Sequence, residues 1–311
     1  MSGQRIVIAG AGGFMGRYFA KRFRADGDTV VTVGRAGSDV VWGDTPALEA
    51  AVDGADMLVN LAGKSVNCRY TEKNKAAIFS SRLLTTAELG RAVAAVAHPP
   101  AVWFNASTAT IYRHADDVPQ TDETGQIGSG FSANVAGAWE REFFVHHRPG
   151  VRQVALRMAI VLGDGSALSP LLALARFGLG GTQYGGRTRG GRQMFSWIHI
   201  DDVYRAIRFI AEQPDIDGAV NVSSPCPVQN RELMATLRRV VGARFGLPLH
   251  RWMLELGALA LQSETELLLK SRWVLPTRLQ AAGFEFEYPE LEPAVREITG
   301  SVAEAPPVRI P

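Results

Sequence analysis

Hydrophobic residues form short continuous runs through the first half of the chain, separated by longer stretches in which they recur at helical spacing. Continuous runs rich in β-branched residues are typical of strands buried on both faces, and the longer stretches are typical of amphipathic helices. Their alternation predicts right-handed crossovers and an α/β fold with a Rossmann-like, doubly wound parallel sheet. The predicted strands are 5–10, 29–34, 55–63, 101–107 and 152–163, with helices over 14–25 and about 72–97.

The pattern changes after about residue 163. Residues 178–193 hold seven glycines and three arginines, which predicts a loop. The stretch 194–213 predicts a strand and then a helix, capped by Asp201 or Asp202. We therefore expect a dinucleotide-binding domain, a smaller and mostly helical lobe, and a loose tail, over residues 1–163 (with the sheet completed by parts of 194–223), 164–300 and 301–311.

Composition excludes several classes of protein. The formal net charge is +2, from 33 basic and 31 acidic residues, which gives no reason to expect a nucleic acid or a membrane as partner. The two cysteines, Cys68 and Cys226, lie far apart without a C-x-x-C motif, so we expect no disulfide framework, no metal site and a cytoplasmic location. We find no targeting signal, and no apolar run reaches the ~18 residues of a membrane helix.

A glycine motif follows the first predicted strand. In "IVIAGAGGFMG" the spacing is G-x-x-G-x-x-G, and the last glycine opens the first helix. Glycines permit a tight turn and let backbone N–H groups approach a pyrophosphate, to which the helix N-terminus adds partial positive charge. The flanking strand and helix favour a dinucleotide site over an unliganded turn. The loop residues that we expect at the cofactor are Gly10, Gly13, Phe14, Met15 and Gly16.

The end of the second strand indicates which dinucleotide binds. An acidic residue there would bind the ribose hydroxyls and repel a 2′-phosphate, but this chain has Gly34 and Arg35. A guanidinium can pair with a phosphate through two hydrogen bonds, so the sequence favours NADP(H). The alternative is a solvated surface arginine.

These features resemble the extended, epimerase-like branch of the short-chain dehydrogenase/reductase superfamily. "AGAGGFMG" is similar to its glycine motif, and "NLAG" (60–63), "ALRMAIVLG" (155–163) and "FSWIHIDDV" (195–203) are similar to later motifs. Further stretches resemble an atypical subgroup, the epimerase family proteins of the sugar-nucleotide epimerase type. That subgroup carries a distinctive C-terminal helical segment, here about 248–298, and the likeness runs from about residue 5 to 298.

The resemblance implies an NADP-type site with contacts at defined positions. It places Gly34 and Arg35 at the adenosine phosphate, and Leu61, Ala62 and Gly63 beside the adenosine ribose and pyrophosphate. It places Arg82 near the nicotinamide and Leu162 near the carboxamide. The subgroup usually has an acidic residue after N-L-A-G, whereas this chain has Lys64, which changes the charge that we expect to face the substrate.

The superfamily's proton-transfer pair is missing. In the superfamily a Tyr, with a Lys four residues later, normally transfers the proton. Alignment on Glu140 puts Ser132 and Ala136 in those two positions. The resemblance implies this absence, because the atypical subgroup also lacks the pair. A serine hydroxyl is too weak an acid to replace a phenol unaided. We expect Thr108 and Ser107 to bind the substrate oxygen, with Tyr112 either supplying a phenol or packing with its hydroxyl bonded to backbone.

Two further candidates stay open at this point. His199 is either a base or a satisfied core residue, and Arg187, Arg189 and Arg192 either receive an anionic substrate or are solvated on a glycine loop that could act as a lid. The sequence thus predicts an NADP(H)-dependent oxidoreductase or epimerase for a small, nucleotide-sugar-like substrate. The alternative is a silent NADP(H)-binding sensor or interaction protein, and oligomerisation is left open.

Overall fold

A seven-stranded parallel sheet forms the centre of the fold. The computed structural model describes residues 3–166, 168–184, 188, 190–250 and 270–300. The strands of the whole described chain are β1 (Arg5–Ala9), β2 (Thr29–Gly34), β3 (Val40–Val41), β4 (Met57–Asn60), β5 (Val102–Thr108), β6 (Arg152–Met158), β7 (Ile160–Leu162), β8 (Met194–Phe195), β9 (Trp197–His199), β10 (Gly218–Val222) and β11 (Val228–Gln229). The sheet order β10-β6-β5-β4-β1-β2-β3 confirms the predicted doubly wound α/β class.

Helices cover both faces of this sheet and also build the smaller lobe. They are α1 (Phe14–Ala25), α2 (Thr45–Val52), α3 (Glu72–Ala95), α4 (Phe131–Val145), α5 (Leu168–Arg176), α6 (Ile200–Glu212), α7 (Asn230–Val240), α8 (Thr277–Ala281) and α9 (Leu291–Thr299). Because side chains alternate along a strand, Ile6 and Ile8 join one core with α1 and α6, whereas Val7 joins the opposite core with α2 and α3. Continuous apolar runs in the sequence therefore reflect burial on both faces.

The smaller lobe has a core of its own. Apolar residues of α5, α7 and α9 pack around Trp197, which is fully buried on β9. Strand β7 pairs with β9 in parallel, and β8 pairs with β11 in antiparallel fashion. None of the helices within the described ranges is long and apolar enough to cross a membrane. The predicted C-terminal helical segment 248–298 lies partly outside the described residues.

The predicted aspartate cap of the helix after β9 is wrong. His199 caps α6, because its Nδ1 accepts the Asp201 N–H at 3.3 Å. An N-cap side chain must precede the first helical residue, and both aspartates lie inside the first turn. Asp202 instead is fully buried and accepts the backbone N–H groups of Glu287 at 2.8 Å and Tyr288 at 2.9 Å.

We predict that Asp202→Ala loosens the docking of the segment that precedes α9. Removing the carboxylate leaves two N–H groups without acceptors, so the free energy of unfolding should fall by about 2–4 kcal/mol. Urea denaturation followed by tryptophan fluorescence measures the loss. The control is Asp215→Ala, because Asp215 is exposed and its removal should change the same quantity by less than about 0.5 kcal/mol. Equal losses in the two variants would contradict the assignment.

Candidate functional site

The site lies where the strand order of the sheet reverses. Strands β1 and β4 are neighbours, and the chain leaves them toward opposite sides of the sheet. Open parallel sheets bind ligands in the crevice that forms at this point, outside the carboxyl ends of the strands. Here a cavity of about 450 Å³ opens between the loop after β1, the turn after β4, the end of β5, and helices α3 and α4.

The loop after β1 packs against the turn after β4 without space for a side chain. Gly10 has a φ of 81°, and a Cβ atom there would lie 2.7 Å from the Ala62 nitrogen. A Cβ atom on Gly16 would lie 2.6 Å from the Ala11 Cα. Helix α1 begins at this point with no side-chain cap on Gly13, so its first N–H groups are left for a ligand. The predicted loop residues Gly10, Gly13, Phe14, Met15 and Gly16 all line the cavity.

Buried side-chain amides fix the turn after β4. The Oδ1 of Asn60 accepts the Ala62 N–H at 3.0 Å, while its Nδ2 donates to Asn105 Oδ1 at 2.6 Å and to Thr86 Oγ1 at 3.1 Å. Both asparagines and the threonine are fully buried. The turn therefore presents Leu61 and Gly63 to the cavity, whereas Ala62 is buried behind them.

Arg82 brings a cation to the cavity wall. Its guanidinium lies 5.0 Å from the Trp139 ring centroid and donates to the carbonyls of Lys64 and Ile78, both at 3.1 Å. No carboxylate pairs with it within the described ranges. Burial lowers the pKa of Arg82 to about 10, and the guanidinium thus remains charged at neutral pH. A desolvated cation without a carboxylate partner among the described residues is suited to an anionic or electron-rich ligand.

The charge of the cavity is positive. Lys64 also lines it, at the position where the resembled subgroup usually has an acidic residue. The lining that the structure describes contains no aspartate or glutamate. Two cations without a compensating acid favour a ligand that carries phosphate or carboxylate groups.

Three hydroxyls lie together at the end of β5. Ser107, Thr108 and Thr110 all line the cavity. The Thr108 hydroxyl accepts the Thr110 N–H at 3.2 Å and donates to Thr110 Oγ1 at 3.1 Å. The Ser107 hydroxyl donates to Glu140 Oε1 at 2.6 Å. Ser107 therefore offers lone pairs, rather than a proton, to a ligand.

A buried ion pair holds Glu140 behind the Ser107 hydroxyl, which forms the floor of the cavity together with Thr108 and Thr110. Arg157 donates to both carboxylate oxygens, at 2.8 and 2.7 Å, from the position opposite Ser107 on β6. Burial alone would lower the pKa of Arg157, but the Glu140 carboxylate outweighs it and the pKa is raised. Glu140 is 7% exposed, so removal of either partner would leave the other as an uncompensated buried charge.

Tyr112 belongs to this network rather than to the cavity wall. It is 2% exposed, and its hydroxyl donates to Asn221 Oδ1 at 2.8 Å while accepting from Arg157 at 3.0 Å. Burial raises the pKa of the Tyr112 phenol. The sequence left open whether Tyr112 supplies a phenol to the substrate or packs in the core. In the structure it packs in the core, and its hydroxyl bonds mainly to the side chains of Asn221 and Arg157.

Helix α4 presents one face to the cavity, made of Phe131, Ser132, Val135 and Trp139. Ala136, in the predicted lysine position, is fully buried on another face in a cluster with Ile111 and Tyr112. A lysine at that position of this helix would enter the core, whereas Ser132 does reach the cavity.

A second depression of about 420 Å³ lies at the adenosine end of the predicted site. The turn Gly37–Ser38 lines one side, and Arg17, Lys21 and Arg24 of α1 line the other. Arg35 precedes that turn with an exposed side chain, and Gly34 is buried against Ser38. Leu162, in contrast, is fully buried in the core of the smaller lobe and does not line the main cavity.

The remaining candidates lie elsewhere. His199 is 1% exposed, and its Nε2 contacts Glu297 Oε2 at 3.0 Å, so both of its ring nitrogens have partners. Arg192 lines a separate cavity of about 490 Å³ together with Asp116 and Thr188. Arg187 and Arg189 lie outside the described residues.

Sequence reasoning missed several lining residues. The spacing of Phe131, Val135 and Trp139 along one helical face was a readable signal, since side chains four apart share a face. Tyr70 lies in the loop before α3 and carried no such signal. Its position depends on how that loop folds over α4.

Comparison with known proteins agrees with this geometry. Residues 6–223 match the NAD dependent epimerase/dehydratase family, and residues 251–298 match a domain of unknown function, DUF1731. Epimerase family protein YfhF of Bacillus subtilis (strain 168) is 30% identical over 302 residues, covering 94% of this chain and 97% of that protein. The family resemblance predicted from the motifs is confirmed.

Solved structures give the same picture. The crystal structure of human epimerase family protein SDR39U1 (isoform2) with NADPH is 28% identical, covers 96% of this chain and 100% of that chain, and has a TM-score of 0.83. A nucleoside-diphosphate sugar epimerase from Corynebacterium glutamicum is 27% identical with a TM-score of 0.74, covering 96% of this chain but 59% of that chain.

We predict that Glu140→Met is strongly destabilising and that a second change relieves it. The single variant leaves the Arg157 guanidinium buried without its carboxylate and should lose about 3–5 kcal/mol of unfolding free energy. The double variant Glu140→Met/Arg157→Met removes both charges and should lose less. Urea denaturation of the wild type and both variants measures the difference. A double variant less stable than the single one would show that the ion pair is not the dominant interaction.

Proposed function

The chain belongs to the NAD dependent epimerase/dehydratase family, and from that premise we propose that it is an NADP(H)-dependent oxidoreductase or epimerase. The observation that carries the proposal is the convergence of three features on one cavity. These are the glycine loop with the uncapped start of α1, the turn after β4, and a wall with two cations and no acid among its described residues.

The residues present fit the dinucleotide. A Cβ atom at Gly10 or Gly16 would collide with neighbouring backbone, so these glycines allow the tight loop that a pyrophosphate site requires, and the N–H groups at the start of α1 offer it the right partial charge. Arg82 would lie toward the nicotinamide side. The bound cofactor supplies or accepts the hydride, while Thr108 and Ser107 would accept a hydrogen bond from the substrate hydroxyl at the end of β5.

The basic surroundings of the adenosine end support NADP(H). Arg35 and the depression lined by Arg17, Lys21 and Arg24 offer several cations for a 2′-phosphate, and the human relative was solved with NADPH. The two free thiols, Cys68 and Cys226, favour a cytoplasmic location.

The cations also support an anionic substrate. Lys64 extends the positive charge of the wall beyond the glycine loop, and a relative is described as a nucleoside-diphosphate sugar epimerase. We infer that the substrate is a small molecule of this chemical class. The alternative, a protein that binds NADP(H) without catalysis, is favoured by the absence of the Tyr–Lys pair. The hydroxyls at the end of β5 favour a catalytic role.

A fluorescence titration tests the function. NADPH is added to the protein, and a panel of nucleoside-diphosphate sugars is then added while NADPH oxidation and epimer formation are followed. Enzyme function predicts binding followed by conversion of at least one sugar nucleotide. Binding without any conversion would favour the sensor, and failure of NADPH to bind would overturn both.

We predict that Arg35→Asp discriminates between the two dinucleotides. Replacing the guanidinium by a carboxylate removes a charged phosphate partner, so the Kd for NADPH should rise by about 10- to 100-fold. The Kd for NADH should change much less, because NADH lacks the 2′-phosphate. Arg176→Asp is the control, since Arg176 is exposed at the end of α5. Equal losses for NADPH and NADH would refute the assignment of Arg35 to the phosphate.

A further inference from the structure

Tyr70 enters the cavity from an unexpected element. It lies just before α3, and its ring packs edge-on against Phe131 with centroids 4.8 Å apart. Phe131 is adjacent to Ser132, which stands where the family's tyrosine would be, and both residues line the same cavity. A phenol is thus present in the part of the cavity from which the usual phenol is missing.

A cation accompanies this phenol. Arg82 lines the same cavity as Tyr70, and it lies over Trp139, eight residues along α4 from Phe131. Burial lowers the pKa of Arg82, and the charge of a Tyr70 phenolate acts in the opposite direction. Tyr70 and Arg82 therefore lie against the α4 face that carries Ser132. Gly63 makes this placement possible, because a Cβ atom there would lie 3.1 Å from the Arg82 Cζ.

We propose that Tyr70 is the residue that exchanges a proton with the substrate oxygen, and that Arg82 is the cation that supports its phenolate. The two side chains would together replace the missing Tyr–Lys pair. This inference rests on the proposed function, since it assigns a role within that reaction.

The proton balance is simple. In the reducing direction the phenol O–H bond breaks and the proton bonds to the carbonyl oxygen, while the reduced nicotinamide, which is oxidised, supplies the hydride to the carbonyl carbon. The phenolate then recovers a proton from water, and the oxidising direction runs in reverse.

The other hydroxyls are less suited to this role. Tyr112 lies outside the cavity wall. Ser107, Thr108 and Thr110 are alcohols, which are far weaker acids than a phenol whose ordinary pKa is about 10. No carboxylate of the described lining competes for the substrate oxygen.

A phenol titration tests the pair without any substrate. The chain has six tyrosines, followed together by ultraviolet difference absorbance. Burial raises the pKa of Tyr18 and Tyr112, and it raises the pKa of Tyr204 and of Tyr288 to about 12. These four therefore ionise late, and subtraction of Tyr184→Phe from the wild type accounts for the fifth.

The expected result is one phenol that depends on Arg82. Tyr70→Phe should remove one early-ionising phenol from the titration of the wild type. Arg82→Met should raise the titration midpoint of the Tyr70 phenol by about 1 pH unit or more, because the cation beside it is lost. Arg82→Lys keeps a cation and should leave that midpoint close to the wild-type value. Among the described residues, Lys64 also lines the cavity and Lys75 Nζ lies 5.9 Å from the Phe131 ring centroid, so Lys64→Met and Lys75→Met are run beside Arg82→Met. If the Tyr70 titration midpoint is the same in Arg82→Met as in the wild type, the proposed Tyr70–Arg82 pair is wrong.

The dinucleotides then locate the phenol at the reacting end. The nicotinamide ring of NADP⁺ is cationic and that of NADPH is neutral, so NADP⁺ should lower the Tyr70 midpoint more than NADPH does. Equal effects of the two forms would overturn the inference while leaving the proposed function intact. If neither form binds, the proposed function itself fails. With any sugar nucleotide that the wild type converts, Tyr70→Phe should lower turnover by about 100-fold or more.

Discussion

The cavity exists because backbone packs directly on backbone where the loop after β1 meets the turn after β4. Gly10 leaves no room for a side chain beside Ala62, and the buried amide of Asn60 holds that turn in place. The same turn ends at Gly63, against which Arg82 lies. One close approach therefore both holds the glycine loop at the edge of the crevice and positions the cation on its wall.

The buried ion pair behind the cavity wall is a second constraint on the site. The Glu140–Arg157 pair is bidentate and buried, and it fixes the direction of the hydrogen bond from Ser107. Through Arg157 and Tyr112 the same network reaches Asn221 on β10, so the floor of the cavity is tied to the last strand of the sheet. Polarity at the reacting end is thus set by two charges that lie behind the cavity wall.

Local patterns predicted the fold because they act over a few residues. The glycine loop, the strand runs and the bounds of α1 were all readable, since burial on both faces and helical periodicity appear directly in the chain. The roles of Tyr112 and Asp202 were not readable, because their partners come from distant segments: Asn221 for one, and Glu287 and Tyr288 for the other. Tyr70 was overlooked for the same reason.

The missing Tyr–Lys pair therefore needs to be judged in space rather than along the helix. Ala136 points into the core, so restoring a lysine there would not restore a cation to the cavity. What the chemistry requires is a phenol and a nearby positive charge at the end of β5, whichever element carries them. Helix α3 and the loop before it lie beside α4, and from there Tyr70 and Arg82 meet both requirements. A motif can thus be absent from its usual positions while its physical components remain in the site.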